Sequence, residues 1–158
     1  MKNLFVVIAS ILLTQGVIAQ NNEQPAVPKE IAQAFSVRYP QGDLKKWESR
    51  KEGYIAQFTK DGKKFYAYYS HQGEWKGTES RVKWTRHLPA NVQTGWKNSG
   101  YAGWYVHAIK KIETPERPLY VLHLNNGTLL SSEKADAYRE DHVLTFTANG
   151  ELVDAVRI

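Results

Sequence analysis

Apolar side chains recur every four residues in PKEIAQAFSVRYP, where Ile31, Phe35 and Tyr39 form one stripe, the spacing of a helix that buries one face. Pro28 suits a first helical position, because its missing N–H would be unpaired there anyway. Glu30 lies in the first turn and Arg38 in the last, the signs the helix dipole favours. Pro40 cannot continue the helix. The pattern predicts a helix from Pro28 to Tyr39.

The period then drops to two, the alternation of a strand. LKKWES, YIAQFT, FYAYYS and WKGTESRVKW read as strands separated by short turns. Asp61-Gly62 is a two-residue hairpin signal, because such turns need positive φ. Gly73 marks the next turn. Consecutive short strands split by glycine turns predict an antiparallel meander.

The helical period returns once. Pro89, Val92 and Trp96 repeat the spacing of Pro28, Ile31 and Phe35. WYVHAIKKIE, LYVLHLNNGTLLSS and HVLTFTANGELVDAVRI follow as strands, with turns at Asn126-Gly127 and Asn149-Gly150. A polar insertion, residues 133–141, breaks the second copy. The expected fold class is therefore α+β: two tandem helix-plus-antiparallel-sheet repeats, residues 28–87 and 88–158, sharing one sheet with the helices on one face. Joining the two units would hide two edge strands and give a continuous core under both helices. Phe35 and Trp96 are expected to be buried equivalents, each anchoring its helix.

FYAYYS, residues 65–70, puts rings on both faces of its strand. Ala67 is small enough to lie beneath a helix, which turns Phe65 and Tyr69 inward and Tyr66 and Tyr68 outward. Exposed tyrosines offer contact area at low entropic cost. The expected contact surface comprises Asp61, Tyr66, Tyr68, His71 and Trp75: the outward rings together with the two hairpin tips.

The first nineteen residues change the setting. Lys2, the apolar run LFVVIASILL and the small or short residues of VIA before Gln20 have the form of a signal peptide cleaved after Ala19. Residues 20–27 are polar and aperiodic and read as a flexible lead-in. The mature protein is expected to be periplasmic or secreted, with no membrane association after cleavage. Composition then excludes several chemistries. There is no cysteine, hence no disulfide, no thiol nucleophile and no thiolate metal site. The net charge is +5, or +4 once Lys2 is removed, but the bases are scattered along the sequence and no nucleic-acid groove is expected.

The residues of the family resemblance are PKEIAQAFSVRYP, KWE, YIAQFTKDGKKFYAYYSHQGEW and the Leu88-Pro89 pair. With these, residues 28–158 resemble the secreted bacterial proteins described as beta-lactamase-inhibitor-like, or PepSY-like. The resemblance implies two tandem helix-and-sheet units and a non-enzymatic, export-side role of binding or inhibiting another protein. The namesake inhibitors carry disulfides, which this chain cannot form.

No catalytic constellation stands out. Among His71, His87, His107, His123 and His142, no two have the i, i+4 spacing of a zinc helix. His71 and Glu74 flank a glycine turn, which is too few ligands for a metal site. No Gly-x-Ser-x-Gly elbow occurs, and the adjacent Glu140-Asp141 lie in a polar loop. No enzyme activity, cofactor or metal is expected. The expected partner is an unidentified exported or periplasmic protein. The alternative is a glycan or cell-wall polymer stacked on exposed rings.

Overall fold

The computed structural model describes residues 25–127 and 139–158. The leader and its cleavage site, most of the lead-in and most of the polar stretch 133–141 lie outside the described residues. Helix α1, Lys29–Arg38, is followed by strands β1 (Asp43–Arg50), β2 (Gly53–Lys60), β3 (Lys63–Tyr69) and β4 (Trp75–Arg81). A 3₁₀ turn, Thr85–His87, leads into helix α2, Ala90–Asn98. Strands β5 (Tyr105–Glu113), β6 (Leu119–Asn125), β7 (Asp141–Thr147) and β8 (Leu152–Arg157) complete the order, in the numbering used from here on. The eight strands form one sheet in chain order, every neighbouring pair antiparallel.

The helix ends fall where the prolines place them. Pro28 and Pro89 are the N-caps, and Tyr39 closes α1 with its N–H on the Phe35 carbonyl at 2.8 Å. At the β2–β3 tip both Asp61 and Gly62 have positive φ, 51° and 71°, the tight hairpin geometry their pairing predicts.

Cross-strand register fixes what each helix covers. Trp47, Ala56, Ala67 and Thr78 form one row across β1–β4. Ala56 and Ala67 are fully buried, and Ile31 and Phe35 of α1 pack with them, Trp47, Phe58 and Tyr69. The cluster is ring-rich: Phe35 lies 5.2 Å from Phe58 and 5.7 Å from Trp47, both edge-on. Under α2 the buried side chains are mostly aliphatic instead. Val92 packs with Ile109, Leu122, Leu124, Leu144 and Phe146.

The core departs from expectation in two places. It is not continuous, because the β4–β5 join is polar where a shared core would need apolar side chains. There Thr78 faces Glu113 and Ser80 faces Lys111, and Lys111 and Glu113 pair at 2.8 Å. Second, Phe35 is buried but Trp96 is only partly so, packed against the edge of its cluster. Val92, fully buried, anchors α2 in its place.

One turn recurs. In the β3–β4 turn, Ser70 N–H donates to the Glu74 carbonyl at 2.9 Å and Gly73 N–H to the Ser70 carbonyl at 3.0 Å. The Glu74 N–H donates to Ser70 Oγ at 3.2 Å. In the β7–β8 turn, Thr147, Gly150 and Glu151 make the same three bonds at 3.0, 3.0 and 3.3 Å. Both glycines have φ of 85°.

Candidate functional site

Strand β3 has two unlike faces. Ala67 and Tyr69 are buried under α1 and Phe65 packs at the edge of that cluster. Tyr66 and Tyr68 alternate to the face turned away from α1, and both are half-buried. Their row neighbours are polar or mixed: Gln57, Tyr66, Glu79 and Ile112 lie side by side, as do Glu48, Ile55, Tyr68 and Gly77.

This face is a network of charges with rings between them. Glu48 accepts from Lys46 at 2.7 Å and is also bonded by Arg50 and Gln57. The Lys46 bond, followed by that of Arg50, holds the Glu48 carboxyl below the usual carboxylate range. Glu79 accepts from Lys110 at 3.1 Å and from the Tyr68 hydroxyl at 3.3 Å. Burial, helped by the nearby Glu79 charge, pushes the Tyr68 phenol up to about 12, so it stays a neutral donor at neutral pH. Farther along, burial lowers His123 below the ordinary histidine value, with Lys110 and His107 adding to the effect. Such a surface can offer aromatic area and paired charges to a partner; it contains no activated nucleophile. Among the described residues no group of three or more His, Asp or Glu could hold a metal ion.

Of the five residues expected to form one surface, Asp61 and His71 lie at opposite ends of the sheet, Tyr66 and Tyr68 lie between them on the face away from α1, and Trp75 lies on the other face. Asp61 is exposed at the β2–β3 tip, one end of the sheet. His71 is exposed in the β3–β4 turn at the other end, roughly 20 Å away by the rise of a strand. Its Nε2 donates to the Lys51 carbonyl at 3.0 Å and its ring stands edge-on to Tyr54 at 5.4 Å. Trp75 lies on the α1 side, not beside Tyr66 and Tyr68. Its Nε1 donates to Thr78 Oγ1 at 2.9 Å, and the Arg38 guanidinium lies 3.3 Å over its ring. A bulge explains the change of side. Tyr68 faces Gly77 but Tyr69 faces Trp75, so one extra residue on β4 turns Trp75 over.

A cleft that strand alternation does not announce opens between β4 and β5, lined by basic side chains with Trp84 and Tyr105. Its bases come from β3, the end of β4 and the segment after it, so no contiguous run of sequence marks it.

A model of the family described as "Putative beta-lactamase-inhibitor-like, PepSY-like" matches residues 54–154, well over half of the chain. The chain belongs to this beta-lactamase-inhibitor-like, PepSY-like family. Solved structures agree on the fold. A BLIP-like protein from Bacteroides fragilis superposes with a TM-score of 0.72 at 22% identity, covering 84% of this chain and 87% of that one. A DUF2874 family protein from Bacteroides uniformis gives 0.71 at 19% identity, with 84% and 90% covered. A protein from Bacteroides eggerthii described as one of the "putative periplasmic proteins" gives 0.70 at 19%, again with 84% and 90% covered. No protein of curated function matches this chain. No helix among the described residues is long and apolar enough to cross a membrane.

Proposed function

We propose that this family member is an exported, non-enzymatic protein-binding module, built of two tandem units, residues 28–87 and 88–158, with both helices on one face. It acts in the periplasm or outside the cell and binds another exported protein through the opposite face. The unit reading is supported by the turn that Ser70–Glu74 and Thr147–Glu151 share bond for bond. The placement of the helices is supported by register. The row Ala67–Thr78 continues into Glu113, in phase with Lys111 and Ile109, and Ile109 continues into Leu122 and Leu144 under α2.

The observation that carries the binding reading is the position of Tyr66 and Tyr68. Two partly exposed rings stand on the face away from α1, with Gln57, Glu79 and Glu48 as polar neighbours in their rows. Rings among polar neighbours are what protein interfaces use as anchors. Asp61 and His71 serve as the two ends of the contact surface, while Trp75 supports α1 from behind it.

The test is partner capture from periplasmic extract, read by mass spectrometry, with the wild-type chain and the double variant Tyr66→Ala with Tyr68→Ala. A specific exported protein, captured by the wild type and lost with the folded variant, is expected. Retained capture by the variant removes this surface. Saturable binding of peptidoglycan fragments with no protein captured replaces the reading by the glycan alternative.

A further inference from the structure

The β4–β5 join is short, and a cleft opens beyond it. Pairing stops at Arg81 opposite Lys110, with one more bond from Val82 N–H to the Ile109 carbonyl at 2.9 Å. The chain then leaves the sheet through Trp84 and the 3₁₀ turn to reach Leu88, which is buried in the α2 cluster. Gln93 Nε2 holds the Leu88 carbonyl at 2.9 Å and fixes that exit. Strand β5, however, already begins at Tyr105 and is paired on its other side with β6. Residues 105–108 of β5 therefore run past the end of β4, and no strand among the described residues lies beside them on that side. Strand β3 does the same: it pairs with β4 only from Phe65, leaving Lys63 and Lys64 beyond the pairing.

The gap between these strand ends is a cleft of about 840 Å³. Lys63, Lys64, Arg81 and Lys83 line it and are all exposed, and no Asp or Glu is among the lining residues. None of these four bases has a carboxylate partner among the described residues, whereas Lys46, Lys76, Lys110 and Lys111 each have one. Two large rings stand in the same cleft, Trp84 at 47% and Tyr105 at 37% exposure. Arg86 adds a further cation 5.3 Å over the Trp84 ring.

We propose that this cleft binds an extended acidic peptide segment of a partner protein, which lies along the unpartnered stretch of β5 and places its carboxylates against Lys63, Lys64, Arg81 and Lys83. The free strand edge selects an extended polypeptide, because main-chain bonds to an open edge are the basis of strand addition. The uncompensated bases select acidic side chains, which steer encounter and set specificity. Trp84 and Tyr105 supply apolar area for the residues between the acids. This site does not use Tyr66 or Tyr68 and stands independently of the surface described above.

The probe is a fluorescein-labelled peptide alternating glutamate and valine, titrated by anisotropy against the mature chain at low ionic strength. Saturable binding is expected, at least about tenfold tighter than for the same peptide with lysine in place of glutamate. The double reversal Lys64→Glu with Lys83→Glu, and separately Trp84→Ala, should each weaken it about tenfold. Circular dichroism on each variant should match the wild type, since these side chains are exposed. The double variant Tyr66→Ala with Tyr68→Ala should bind the probe as the wild type does. A backbone N-methylated version of the peptide should bind poorly, since it cannot pair with a strand edge. No binding of the probe, or binding unaffected by either cleft variant, overturns the proposal. Equal binding of the N-methylated peptide or of polygalacturonate also overturns it, by reducing the cleft to a patch of positive charge.

Discussion

Helices α1 and α2 sit on their strands in different ways. Under α1 the contacts are between rings: Phe35, Trp47, Phe58 and Tyr69 interlock above two alanines, Ala56 and Ala67. The β3–β4 turn leaves room for a side chain beneath the helix: a Cβ added at Gly73 would meet Ile31 at an ordinary 3.7 Å. Under α2 the strands offer Leu122, Leu124 and Leu144, and the helix lies directly on the β7–β8 turn. A Cβ at Gly95 would fall 2.0 Å from the Gly150 carbonyl oxygen, and one at Gly150 would fall 2.1 Å from that of Asn91. Helix α1 is thus held to its strands by side-chain volume and α2 by backbone closeness. The position of Gly95, three residues after Val92, corresponds to Ala34, three after Ile31.

Truncating a ring should break the first half most severely. Phe35→Ala removes a buried side chain from the middle of the ring cluster and is expected to cost about 3–5 kcal/mol in chemical denaturation. Trp96→Ala, at the matching place on α2, should cost clearly less, because that ring is only partly buried. Equal losses at the two sites would show that α2 depends on ring packing as α1 does.

The glycine contrast comes next in size. In an open helix, glycine to alanine stabilises by about 1 kcal/mol. Gly95→Ala should instead destabilise, by about 1–3 kcal/mol, because its methyl meets backbone that cannot step aside. Ala34→Gly in α1 should cost about 1 kcal/mol through propensity alone. A Gly95→Ala variant that melts above the wild type would mean that α2 does not rest on Gly150.

These differences show what the sequence could and could not reveal. The prolines at 28 and 89, the Asp61-Gly62 turn and the small Ala67 act locally, so the helix starts, one hairpin and the phase of β3 are legible from neighbours along the chain. Trp75 was not, because a single bulged residue on β4 reverses which face it joins. The continuous core was not either, since Thr78, Ser80, Lys111 and Glu113 become a polar seam only when β4 and β5 pair. The basic cleft is the extreme case. Lys63 and Lys64 are far in sequence from Trp84 and Tyr105, and only the meander brings those ends to one side of the sheet.

Smaller effects should appear on titration. His123 belongs to the second half, and its burial favours the neutral ring. The unfolded state then binds more protons between the ordinary value near 6.5 and the lowered folded value. Its contribution is complete above the ordinary value and is lost as pH falls below it. The thermal midpoint should decline through that acid window, and His123→Gln should flatten the decline.

The smallest effect concerns the seam between the halves. Tyr68 on β3 and Lys110 on β5 both donate to Glu79 on β4, at 3.3 and 3.1 Å. Tyr68→Phe keeps the ring and removes only the hydroxyl, so it should cost about 0.5–1.5 kcal/mol at neutral pH. The folded phenol is pushed up to about 12, above the value near 10 of an unfolded tyrosine. Its stabilisation is therefore complete below about pH 10 and lost as pH rises toward 12. The variant should lose less stability than the wild type across that alkaline range, with the difference read from denaturation midpoints at matched pH. Tyr69, whose buried phenol is raised as well, remains in both proteins, so their difference isolates Tyr68. Parallel curves for wild type and Tyr68→Phe would mean that the hydroxyl does not brace Glu79 and that Glu79 is held across the seam by Lys110 alone.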